Sequence, residues 1–158
     1  MPRLKSICFL SIGAVLLVGC AQSKVDTQAE AEKLSRLSRE WSQAASSRDV
    51  EKILSYWSDD AVVVSSGEAM RKGKKSIRQM VEGSMKNPGF HISWEPIHVE
   101  VSAAGDMGYA LEETKISTTD LTGKSVEMMF NGVTIWKRQA DGNWRNVVDV
   151  LSPKEKQH

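Results

Sequence analysis

Trp41 to Val63, WSQAASSRDVEKILSYWSDDAVV, is the stretch on which the fold turns. Its first residues close a helix: Leu34, Leu37, Trp41, Ala44 and Ala45 recur at helical spacing, so one face from about residue 28 to 46 is apolar. Thr27-Gln28-Ala29-Glu30 fits a capping box at the start of that helix, hydroxyl and carboxylate each meeting a backbone N–H. Asp49 can then cap a second, shorter helix with Val50, Ile53, Leu54 and Trp57 on its inner face. Ala61 to Ser65 is too short and too β-branched for a third helix and predicts a strand. That strand carries up either a catalytic group or the wall of a cavity.

Downstream, a polar loop with Gly67 and Gly73 leads to a third helix striped by Ile77, Met80, Val81 and Met85, ended by Asn87-Pro88-Gly89. Strands are predicted over Phe90–Ser102, Met107–Thr118, Val126–Arg138 and Trp144–Ser152, joined by Gly-containing turns, so neighbours pair antiparallel. Helices first and a meander afterwards give an α+β domain, helices packed on one face of a bent antiparallel sheet. On Val126–Arg138, alternation puts Met128, Phe130, Thr134 and Trp136 on one face and Met129, Val133 and Ile135 on the other. Both faces call for cover, one under the helices and one from further curling or a second subunit.

The 158 residues are 41% hydrophobic and 26% charged, which suits one globular domain. With 21 basic against 20 acidic residues and no basic block, the chain has no electrostatic footprint for nucleic acid. The first nineteen residues differ in kind: Arg3 and Lys5, then a 12-residue apolar run from Ile7 to Val18, the plan of a signal peptide. The run is short of the roughly 20 residues that span a bilayer. Leu17-Val18-Gly19-Cys20 resembles the bacterial lipobox, which implies cleavage before Cys20 and a lipid on its thiol. Cys8 would leave with the signal, so the mature chain would have no free thiol and no disulfide. Ala21 stands where inner-membrane lipoproteins carry aspartate, which points to the periplasmic face of an outer membrane in a Gram-negative source. The expected organisation is signal peptide 1–19, lipidated tether 20–27, domain 28–152 and polar tail 153–158.

Helix, short helix, DDAVV strand, glycine loop, KGKKSI helix and four strands ending in DGNWRNVVDVLS resemble the nuclear transport factor 2-like superfamily. The likeness is to its SnoaL-like and calcium/calmodulin-kinase-association-like branches and covers about residues 28–152. It implies a cone-shaped α+β barrel with a pocket between the concave sheet and the helices. Ketosteroid isomerases, polyketide cyclases, epoxide hydrolases, dehydratases and binding modules share that cone, so fold alone does not assign function.

Mapped residue by residue, the isomerases' oxyanion-binding tyrosine falls at Trp41, their proton-moving aspartate at Ser65 and their second oxyanion donor near Thr134. Serine lacks the basicity for proton abstraction from carbon, so that mechanism is not expected. The cyclases' acid/base aspartate falls at Asp149, with Val147 and Leu151 on its strand face, and burial there would raise its pKa. The competing reading pairs Asp149 with Arg145 on the same face. Glu112 and Glu113 lie on opposite faces, so one of the two can point inward.

Other chemistries lack their spacing. His91 and His98, seven apart in a strand, are expected on opposite faces, and no Cys/His cluster suggests a metal; no cofactor is expected. No GxSxG elbow surrounds Ser65 or Ser66, and the glycines are not a phosphate loop. The aromatic residues are the remaining signal. Trp41, Tyr56, Trp94 and Trp136, with Ser65, Asn131 and Thr134 as polar contacts, are the expected pocket lining for a small amphipathic or aromatic molecule. Three readings follow: a membrane-anchored, non-catalytic binding domain, which is favoured; an isomerase, cyclase or dehydratase using Asp149; and a protein-interaction module at the envelope. A homodimer through the sheets is expected of each.

Overall fold

A computed structural model describes residues 24–155. The signal peptide and the first half of the tether expected from the sequence, Cys20 included, lie outside the described residues, as does the end of the polar tail. The elements are α1 (Thr27–Ser47), α2 (Val50–Ser55), β1 (Trp57–Ser65), β2 (Arg71–Lys72), α3 (Lys74–Met85), β3 (His91–Val101), β4 (Met107–Thr119), β5 (Ser125–Arg138) and β6 (Trp144–Pro153). No helix among the described residues is long and apolar enough to cross a membrane.

The helices form where the sequence places them, with one change of cap. Asp26, not Thr27, caps α1, its Oδ1 accepting from Ala29 N–H at 3.0 Å. Glu30 is thereby free to turn to Arg138, Lys33 and the Trp144 indole, pinning the start of α1 to the far end of β5 and β6. Asp49 caps α2 as expected, accepting from Lys52 N–H at 3.0 Å. Trp57 is not on α2. That helix stops at Ser55, and Trp57 opens a β1 longer than the Ala61–Ser65 core read from the sequence.

Six strands form one sheet in the order β2-β1-β6-β5-β4-β3. The meander β3 to β6 is antiparallel, as the short turns require. The sheet is nonetheless mixed, because β1 lies parallel to β6. After β1 the chain passes through β2 and α3 to the far edge of the sheet, and the meander walks back so that β6 arrives beside β1 with the same sense, a relation that turn spacing does not encode.

Two β-bulges reset the parity of the strands. On β6 the register passes from Trp136↔Asn146 to Ile135↔Val148, leaving Val147 without a partner. On β3 it passes from Pro96↔Glu112 to His98↔Leu111, leaving Ile97 over. A one-residue bulge exchanges the faces of everything after it. His91 and His98 therefore share the outer face, opposite Ser117 and Leu111, rather than taking opposite faces. His98 meets Glu100 at 3.1 Å there, and among the described residues no three His, Cys, Asp or Glu side chains are grouped to hold a metal.

The core lies between the inner face of the sheet and the three helices. Leu34, Trp41, Ile53, Leu54, Ala61, Ile77 and Trp136 are almost fully buried in it. Trp41 is its centre: Tyr56 stacks on it at 5.9 Å, and Trp57, Trp94 and Trp136 meet it edge-to-face at 4.7, 4.9 and 5.5 Å. Such T-shaped pairs add to area burial by matching positive ring edges to negative faces.

Candidate active and binding cavity

The core is not filled to the open end of the cone. A cavity of about 210 Å³ lies between α3, the ends of α1 and α2, and the sheet. Its walls are Trp41, Ala45, Ile53, Trp57, Val63, Met80, Val81, Met85, Phe90, Ile92, Trp94 and Leu151, with Ser65 and Asp149 as polar points. The exposed Glu68, paired with Arg71 at 3.5 Å, stands at the mouth. A side chamber of about 30 Å³ continues past Trp41, Trp94 and Asp149 to Glu112 and Thr114.

Asp149 owes its place to the bulge at Val147. Before it, Trp144 and Asn146 point inward; after it, Asp149 and Leu151 do, opposite Thr134 and Gly132. Arg145 is in register with Lys137 before the bulge and donates to the Trp144 carbonyl, so it is on the opposite face from Asp149 and the ion pair of the competing reading does not form. Burial, and secondarily the charge of Glu112, push the Asp149 carboxyl up to about 7.

Glu112 is the second carboxyl, 4% exposed, and Glu113 is the one that faces out, paired with Lys154 at 2.6 Å. Gly132 sits across the ladder from Glu112, and a Cβ there would lie 3.2 Å from the Glu112 Cβ and from Thr114 Oγ1, so the missing side chain makes the room. Ser38 Oγ donates to Glu112 Oε1 at 2.6 Å and Thr134 Oγ1 donates to the same oxygen at 3.2 Å. The Trp94 indole N–H donates to Ser38 at 3.0 Å and the Trp136 indole N–H donates to Thr134 at 3.0 Å. An indole nitrogen is a donor only, which leaves each hydroxyl its own proton to give and fixes the direction of both chains toward Glu112. Burial still outweighs these bonds and raises the Glu112 carboxyl to about 7. Two such groups in one enclosure release their protons in steps that belong to the pair.

Of the residues expected to line the pocket, Trp41, Ser65 and Trp94 do, as does Asp149, the candidate acid/base. Tyr56, Thr134 and Trp136 form the buried layer behind the cavity: Tyr56 stacks on Trp41, and the other two support Glu112. Asn131 is not in the pocket. It is exposed, opposite Glu113 on the outer face, because odd residues of β5 point away from the helices. Ser38 was passed over in the sequence because a serine interrupts no apolar stripe, yet it lies four residues from Leu34 and Ser42, on the buried face of α1. Ser42 is also used, accepting the Trp94 backbone N–H at 2.8 Å.

The α+β cone has counterparts among known proteins. Residues 34–154 match the model of the SnoaL-like domain, and the chain belongs to that family. Among solved structures it is similar to a ketosteroid isomerase-like protein from Erwinia carotovora atroseptica SCRI1043, at 15% identity and TM-score 0.68, over 83% of this chain and 99% of that one. It is also similar to an NTF2-like protein of unknown function from Pseudomonas putida KT2440, at 23% identity and TM-score 0.66, over 83% and 92% of the two chains. A third is SalBIII, an epoxide hydrolase/cyclase-like enzyme in pyran ring formation in polyether salinomycin, at 14% identity and TM-score 0.58, over 79% and 94%. At these identities the likeness is one of fold. No curated protein matches the chain.

Proposed function

We propose that this chain is a lipid-anchored domain of the bacterial cell envelope whose cavity binds a small molecule with a ring-sized apolar body and one polar end. The observation that carries the reading is the cavity: about 210 Å³, walled by Trp, Met, Phe and aliphatic side chains with Asp149 as its inner polar point. A ~150 Å³ apolar cavity holds one benzene, so this one suits a ring with a short substituent. The anchor is Cys20 and the address is the periplasmic face of an outer membrane in a Gram-negative cell, both resting on the lipobox-like LVGC. The domain pairs with a second copy through the outer face of its sheet.

A second reading is supported by the carboxyl pair. A carboxyl held up to about 7 in a cavity wall is matched to proton transfer near neutral pH, so Asp149 would act as acid/base in an isomerase-, cyclase- or dehydratase-type reaction. One experiment separates the two. Small aromatic and amphipathic compounds are titrated into the full chain by tryptophan fluorescence, and each hit is analysed for product with wild type and Asp149→Asn. Hits returned unchanged by both proteins support binding without turnover. Product that falls ~100-fold or more in the variant, with binding retained, establishes the enzyme instead. A library of ring-sized compounds with no hit would overturn the cavity reading.

A further inference from the structure

Charge along the cavity says which polar end the ligand carries. Asp149 and Glu68 line the main chamber and Glu112 the side chamber, while no Lys, Arg or His lines either. An anionic ligand would be set against the inner carboxyls Asp149 and Glu112 in an apolar enclosure, with the Arg71 guanidinium already held by Glu68 at the mouth, a costly arrangement for it. The two inner carboxyls also differ in their partners. Glu112 accepts hydrogen bonds from Ser38 and Thr134, whereas only burial and the neighbouring Glu112 act on Asp149. Asp149 is thus the inner carboxyl still lacking a hydrogen-bond partner; the Trp41 and Trp57 indole N–H groups in the cavity wall lack one too, but they carry no charge. Around Asp149 stand Trp41 and Trp94, 4.9 Å apart edge-to-face, and the faces of aromatic rings attract cations.

We propose that the ligand is a small organic cation, an amine whose ammonium group lies against Asp149 and whose apolar body lies among Trp41, Trp94 and Phe90. This rests on the binding reading above and names the ligand class of the same cavity. The ammonium group supplies three N–H donors and a charge to a carboxylate that burial has deprived of water, and the body fills the apolar walls. Linkage follows: the cation favours ionised Asp149, so binding below about pH 7 releases a proton, and affinity rises with pH as the carboxyl ionises. The titratable groups on Asp149's side of the sheet are Glu112 from β4 and, at the mouth, Glu68 with its partner Arg71 of β2, which sits beside Val63 next to Asp149 in the ladder; α1, α2, α3 and β1 present apolar, indole or hydroxyl groups to the chamber.

The test uses three probes of nearly one shape and different charge: phenethylamine, phenethyl alcohol and phenylacetate. Each is titrated into the full chain by tryptophan fluorescence and calorimetry from about pH 6 to about pH 8. Phenethylamine is expected to bind at least ~10-fold tighter than the alcohol at the upper pH, to strengthen as pH rises, and to release a proton, read as a heat that varies with the buffer. Asp149→Asn should erase the advantage over the alcohol, and Asp149→Glu should restore part of it. The wild-type pH series decides the matter without the variants if Asp149→Asn fails to fold. Alcohol and amine binding equally, or phenylacetate binding tightest, would overturn the cation and leave the cavity reading standing. If none of the three binds, both fall.

Discussion

Glu112 shows how one position sets a pH response. Its carboxyl and that of Asp149 are both raised to about 7, chiefly by burial. In the unfolded chain such groups ionise near pH 4. Between those limits the native state holds more protons than the unfolded state, so stability is greatest below about pH 4 for these two groups and is lost as pH rises through about 7. Glu30 works in the other direction. Lys33 first, then the Trp144 indole and Arg138, hold its carboxyl below the usual range, so its contribution is present above the unfolded value and lost as pH falls through the folded one. Glu112→Gln keeps the size and can accept from Ser38 and Thr134 while removing the ionisation. It is expected to flatten the decline of melting temperature between about pH 5 and pH 8, and an unchanged slope would refute the assignment. In the sequence the Glu112-Glu113 pair reads as one inward and one outward carboxylate, but parity cannot say which. What decides it is the space over Gly132 and the two indole-to-hydroxyl chains, which bring to Glu112 the hydroxyls of Ser38 and Thr134, 74 and 22 positions away.

Secondary-structure elements were more legible than their faces. Asp49, the α1 stripe and the glycine turns place the helices and the meander within a residue or two, because capping and tight turns are local chemistry. The bulges at Ile97 and Val147 leave no such mark, since a valine or isoleucine in a strand looks the same paired or unpaired. Hence Arg145 and Asp149, which alternation puts on one face, lie on opposite faces, and the histidines expected on opposite faces share one, while Asp149 reaches the cavity for a reason the pattern does not contain. The junction of α1 with α2 is also non-local. Arg48 adopts φ 60°, unusual for a side chain with a Cβ, and its guanidinium donates to the carbonyls of Phe90 at 2.9 Å, Asn87 at 3.4 Å and Met85. These bonds tie the end of α1 to the end of α3, beside the cavity wall. Arg48→Ala keeps the unfavourable backbone and loses the bonds, with an expected cost of about 2 kcal/mol in urea unfolding. Arg48→Gly loses the same bonds but relieves the backbone and should fall short of that cost by about 1 kcal/mol. Equal losses in the two variants would remove the strain from the account.

At the scale of the whole molecule, the outer face of the sheet and the amino-terminal segment carry the expectations about assembly and address. Met129 and Leu111 are more than a third exposed, and Val133, Ile135, Tyr109 and Met107 border a shallow groove on that face. Met129→Lys is expected to shift the full chain from dimer to monomer at tens of micromolar in sedimentation, with its melting temperature little changed. A wild-type chain already monomeric would count against the pairing. Cys20→Ala is expected to leave the protein unlipidated and largely out of the detergent-soluble membrane fraction; unchanged partitioning with normal cleavage would remove the anchor. The position of β6 has a consequence in time. It follows every other element in the chain yet lies between β1 and β5, and apart from it β1 is paired only with the two-residue β2. A nascent chain that has released everything up to β5 therefore holds the sheet in two parts with exposed strand edges and no ladder bond between them. Closure waits for the last strand, the one that also brings Asp149.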